Sequence, residues 1–165
     1  MAIEMSRLII FVCSYCLIIQ SVHGCSLLPS EVTYGRDKLI GASKIIVLAS
    51  VDKVTLNKDW VIVFFSVENS LRGNLTEVFA LRFHSSSFSE DEHLDLDNHS
   101  NDEFWSNEYP VGRNLWLPGR CEPVYSFKKG VKYLLFVDAL KNPSASERIN
   151  SVEDDLWYRY VKSNL

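Results

Sequence analysis

Three of the four histidines fall between residues 84 and 99, in a stretch crowded with carboxylates. The run SEDEHLDLDNHSNDE gathers His93, Asp95, Asp97 and His99, side chains that suit zinc or, for the carboxylates alone, calcium. Their spacing serves neither metal well. His93 and His99 do not stand four apart, the separation that puts two ligands on one helical face. A calcium loop begun at Asp95 has Ser100 where glycine belongs and Ser106 where a bidentate glutamate belongs. The run therefore reads as an acidic, solvated loop that can be trimmed without loss of the fold, with a weak metal site at these four residues as the second reading.

His84 precedes Ser85, Ser86 and Ser87, and a Ser/His pair is the seed of nucleophilic catalysis. The sequence has no G-x-S-x-G elbow around any of them and no glycine-rich phosphate loop. No catalytic residue and no cofactor is assigned. A metal-dependent or hydrolytic enzyme built on His84, His93 and His99 stands as the alternative to a non-enzymatic binding module. For the binding module, DEFWSNEYPVGRNLWLPGR supplies Trp105, Tyr109 and Trp116, residue types that anchor interfaces. The competing reading has these aromatics packing the insert onto the domain body. Arg113 and Arg120 read as surface partners of nearby acids.

Cysteine placement depends on the first segment. Arg7 precedes LIIFVCSYCLII, an apolar core too short for a spanning helix of roughly 20 residues, and Val22 and Gly24 stand three and one before Cys25. This predicts a signal peptide over residues 1–24 and an exported chain, periplasmic or extracellular, beginning at Cys25. Two cysteines then remain, Cys25 and Cys121, an even count that favours a disulfide in an oxidising compartment. Lipidation competes for the same sulfur, because VHGC approximates the box that precedes a lipid-modified cysteine. A membrane is a partner only in that case.

Residues 25–165 are enough for one domain. The net charge of −4 argues against a nucleic-acid partner and leaves a protein or envelope component as the partner class. Charge is uneven: between His84 and Gly112 there are eight acidic residues and no Lys or Arg, which marks an acidic insert around residues 84–112. KIIVLASVDKVTL, WVIVFFSVEN and LTEVFALRF are rich in β-branched and aromatic residues and predict a three-stranded meander, with Gly73 at positive φ in the second turn. WVIVFFSVEN is apolar on both sides near its middle and predicts a strand buried on both faces. Tyr133 to Val137 predict a late, central strand. Helices are expected at both ends, capped by Ser30 and Ser151.

The order of these pieces carries a resemblance. A cysteine at the expected mature N-terminus, then ASKIIVLASV, FFSVENSLRGN, a second cysteine in GRCEPVYSF and finally FKKGVKYLLFV resembles the netrin-like module. That module is the OB-type barrel shared with tissue inhibitors of metalloproteinases and with exported bacterial proteins. The resemblance covers roughly residues 25–137. It implies a mainly β, OB-like five-stranded barrel with flanking helices and one disulfide. It also implies a second alternative function, metalloproteinase inhibition by zinc chelation through the Cys25 N-terminus. Only Cys25 and Ser26 carry over to that mechanism, because Leu27 stands where the inhibitors have their next cysteine.

Overall fold

The computed structural model describes residues 35–91, 97–105, 112–117 and 120–165, without the side chain of Asp97. The expected signal segment, Cys25, the Ser30 cap, His93, Asp95 and Tyr109 lie outside the described residues.

The meander forms as its β-branched content dictates, with β1 at Ile46–Leu56, β2 at Trp60–Arg72 and β3 at Val78–His84. The β1–β2 turn closes when the Asn57 N–H donates to the Trp60 carbonyl at 2.8 Å. In the β2–β3 turn Gly73 has φ +87°, and a Cβ there would stand 2.8 Å from the Lys44 carbonyl, so the position requires glycine twice over. The late strand is β4, Lys132–Phe136, and a short β5 follows at Ser146–Arg148. All pairings are antiparallel, in the order β3-β2-β1-β4-β5. β1 is therefore the central strand, with β4 beside it.

The protein is mainly β, but the sheet does not close into a barrel. Closure would need β3 to pair with β5, and the described residues make no such pairing. β5 has only three residues to offer. The chain leaving β3 instead meets residue 125 through one parallel bridge, Phe88 to Tyr125, where Tyr125 N–H donates to Ser87 O and Ser89 N–H to Tyr125 O, each at 2.9 Å. Among the described residues no strand pairs with the outer side of β3, which ends the sheet.

Each face of the sheet carries its own core. On one face Ile46, Leu48, Leu134 and Phe136 pack under two helices, α1 at Arg36–Ala42 and an eight-residue C-terminal helix at Leu156–Ser163 that contributes Trp157, Tyr158 and Val161. On the other face Val47, Val63, Phe65, Tyr133 and Leu135 meet Phe83, Tyr125 and Phe127. The first half of β1 and most of β4 are thus buried on both sides. β2 is not, contrary to expectation: Val61, Val63 and Phe65 are buried while Ile62 and Phe64 are only half-buried. The helices cover the β1–β4 side of the sheet and reach only the second half of β2, where Leu71 packs against their core, Asn69 donates to the Tyr158 hydroxyl at 3.1 Å and Arg72 donates to the Ile40 carbonyl.

Two further expectations need correction. Asp155, not Ser151, caps the C-terminal helix, its Oδ1 accepting from the Tyr158 N–H at 2.9 Å. Ser151 serves the turn just before it, where its Oγ accepts from the Asp154 N–H. The acidic insert is also not wholly solvated. Asp97–His99 form a tight turn with Asn98 and His99 at positive φ, Asp102–Trp105 form one helical turn (α2, with the C-terminal helix now α3), and in these two pieces His99 is 1% exposed and Phe104 fully buried. Trimming residues 89–102 would remove part of the core. Among the described residues no helix is long and apolar enough to cross a membrane.

Candidate functional site

The histidines noticed first in the sequence end in opposite surroundings. His99 is enclosed between β5 and α3, its Nδ1 2.8 Å from Asp155 Oδ2 and its Nε2 3.3 Å from Glu147 Oε2, with all three residues buried. The remaining carboxylate oxygens are also engaged, Asp155 Oδ1 in capping α3 and Glu147 Oε1 in accepting from the Arg113 N–H at 2.9 Å. With an acceptor at each nitrogen the ring is a double donor, which requires the imidazolium form. Burial opposes that charge, but the hydrogen bonds to Asp155 and Glu147, helped by their charges, outweigh it and hold the pKa up at about 9.

This arrangement fastens the insert and does not invite a metal. The two carboxylates sit on opposite edges of the ring, so their lone pairs do not converge on one point. Among the described residues no group of three ligating side chains is placed to hold an ion. Of the predicted metal set, His93 and Asp95 lie outside the described residues, and of Asp97 only the backbone is described. The cluster draws in further charge. Arg36 is 4% exposed with its guanidinium 4.0 Å above the Phe104 ring, and burial lowers its pKa to about 10 against the pull of Glu147. Arg113 is buried too, not the surface residue expected from sequence.

Of the aromatics offered as an interaction surface, Trp105 and Trp116 are both half-buried. The Trp105 indole N–H donates to the His99 carbonyl at 2.7 Å, and its ring lies edge-on to Phe104, Trp157 and Tyr160. Trp116 is half-buried and donates to the Lys141 carbonyl at 3.1 Å. Both pack the insert and the following segment onto the body. Tyr109 lies outside the described residues.

The accessible chemistry is at the far end of β3. A cleft of about 760 Å³ opens there, lined among others by Trp60, Arg82, His84, Tyr125, Leu140 and Lys141, the last two from the loop after β4. Trp60 is 39% exposed, Arg82 stacks 3.8 Å over its ring, and His84 meets it edge-on at 5.4 Å. Ser86 approaches His84 as a Ser/His pair would, with Oγ 2.7 Å from Nδ1. The Ser86 backbone N–H also points at Nδ1, at 3.3 Å. Because that N–H can only donate, Nδ1 is the acceptor and neutral His84 carries its proton on Nε2. His84 thus caps the turn Ser85–Ser87, and among the described residues no carboxylate holds its ring.

Arg120 reaches back to the Ser86 carbonyl, and beside it Cys121 is exposed. Burial, with Glu122 nearby, pushes the Tyr125 phenol well up, so it stays a neutral donor. Trp60 and Arg82 were not singled out from sequence. The available signal was a tryptophan opening a strand directly after the polar turn LNKD, where a core role is least expected. Glu147 and Asp155 gave no signal, since pairing with a histidine 48 and 56 residues away leaves no local pattern. No protein-family model matches the chain, and no curated protein is similar to it.

Proposed function

We propose that this protein is an exported, non-enzymatic binding domain of netrin-like, OB-related ancestry, which engages a protein or envelope partner at the Trp60–His84 cleft. Cleavage after Gly24 and a Cys25–Cys121 bridge complete the reading. The bridge would tie the new N-terminus to the segment that borders the cleft. The observation that carries the proposal is the state of His84: its Nδ1 is committed to capping a turn, and what it offers the cleft is an Nε2–H donor beside an exposed tryptophan. A donor beside an aromatic platform suits recognition better than proton abstraction.

A photoreactive phenylalanine placed at Trp60 tests this in the producing cells, with the same residue at exposed Lys129 as the control. A discrete heavier adduct from position 60 alone is the expected result. Absence of an adduct, or an ester- or peptide-hydrolysing activity that disappears in Ser86→Ala, would overturn the reading in favour of the enzyme.

A further inference from the structure

The open edge of β3 ends in the cleft, and the register shows which of its backbone groups are unused. Val67 N–H donates to Glu77 O at 2.9 Å and Ser85 N–H to Asp59 O at 3.0 Å, which fixes the phase of the β2–β3 ladder. In an antiparallel ladder, bonded and non-bonded pairs alternate. Phe79, Leu81 and Phe83 therefore exchange hydrogen bonds with Phe65, Val63 and Val61. Val78, Ala80, Arg82 and His84 turn their N–H and C=O groups away from β2, and no backbone partner meets them among the described residues.

The side chains along this edge are equally incomplete. Phe79 and Leu81 belong to the core face but are only half-buried, and Val78 is 62% exposed. On the outer face stands Arg82, and Lys141 lines the cleft beyond it. A charged residue on an edge strand commonly guards against self-pairing, since two copies brought together around it place like charges side by side. The same charge is complementary to a carboxylate on a different chain.

Building on the binding-domain reading, we infer that β3 accepts an extended segment of a partner protein as an added strand, with alternate apolar side chains covering Phe79 and Leu81 and acidic ones beside Arg82. Main-chain bonds to Ala80 and Arg82 supply the affinity, and the alternation supplies the selectivity. The cleft receives the end of the segment that passes His84, where the Nε2–H and the Trp60 ring meet it.

The test uses isotope-labelled protein and a blocked peptide of alternating valine and glutamate. Amide exchange at Ala80 and Arg82 should slow about tenfold once the peptide stands at ~10 times its Kd, while Leu81, already bonded to β2, changes little. Ala80→Pro should abolish the effect. Its missing N–H faces outward, so the β2–β3 ladder survives, as retained protection at Leu81 will confirm. Arg82→Glu should transfer the preference to a valine–lysine peptide. No protection at millimolar peptide in natively folded protein overturns the inference. So does protection that grows with protein concentration alone, which would assign the edge to a second copy. Shifts at Tyr125 without protection at Ala80 and Arg82 would assign the cleft to a compact ligand. That last result sinks strand addition but leaves the binding domain standing, whereas an absent Trp60 adduct removes both.

Discussion

His84 and His99 belong to the same acidic insert, yet one touches Ser86 and the edge of Trp60 in an open cleft and the other sits between two buried carboxylates. At the His99 end, α3, β5 and the insert are held by charges that cannot be separated without leaving one unpaired in a dry interior. At the His84 end, the sheet edge has no backbone partner among the described residues and Trp60 is 39% exposed. Rigidity is concentrated at one pole and accessible chemistry at the other. A histidine's role here is set by what the rest of the fold brings to it.

The most severe way to break this contrast is at the rigid pole. His99→Ala removes the cation between Glu147 and Asp155, leaving Asp155 without its partner and Glu147 with Arg36 nearby, and truncating one partner of a buried charge pair costs about 3–5 kcal/mol. The urea midpoint should fall accordingly, and Glu147→Gln added to His99→Ala should cost less than the two changes taken singly. A loss under about 1 kcal/mol would mean that the cluster is solvated and the contrast false.

Next in size is the crosslink expected beside the open pole. Cys121→Ser should lower stability by roughly 2–5 kcal/mol if Cys25 is its partner, and intact mass should report a chain starting at Cys25 and lighter by two hydrogens than the dithiol. A diacylglycerol-modified Cys25 would instead leave the mass higher and the substitution cheap.

A pH series sharpens the comparison without mutation. The folded pKa of His99, about 9, lies above its ordinary 6.5. The stabilisation is therefore fully present below pH 6.5 and is lost as pH rises toward 9. Roughly 1–2 kcal/mol should disappear between pH 6.5 and 8. The slope should vanish in His99→Gln and persist in His84→Ala, as read by thermal midpoints at matched ionic strength.

Much of the scaffold was legible in the sequence for local reasons. β-branched and aromatic richness marked β1 to β3, a continuous apolar run marked β4, and Gly73 marked a turn whose positive φ the fold requires. β5 escaped because three residues, SER, carry no periodicity. Barrel closure was read from the order of motifs, but it depends on whether β3 and β5 meet, which no local pattern encodes. The insert misled for a physical reason: its acids dominate its composition, while His99 and Phe104, which anchor it, are single residues whose partners are distant in sequence. The cleft was missed because Trp60 looked like one more strand aromatic, and only its register opposite His84 and its stacking under Arg82 place it at the surface.

The smallest expected effect is the most discriminating. His84→Ala removes an exposed side chain that, among the described residues, bonds only Ser86 at the start of one short turn and meets the edge of the exposed Trp60. Losing a cap of this kind at a solvent-exposed site costs about 0.5 kcal/mol, because water can replace the acceptor. Stability should therefore barely move. If the cleft is the working surface, labelling from a photoreactive residue at Trp60 should weaken in the same variant, since the Nε2–H donor beside it has gone. His84→Asn restores an acceptor for the turn and a donor for the cleft, and should recover part of both. A large loss of stability in His84→Ala would instead place His84 in the class of His99, and the division of the molecule into a rigid pole and an accessible one would fail.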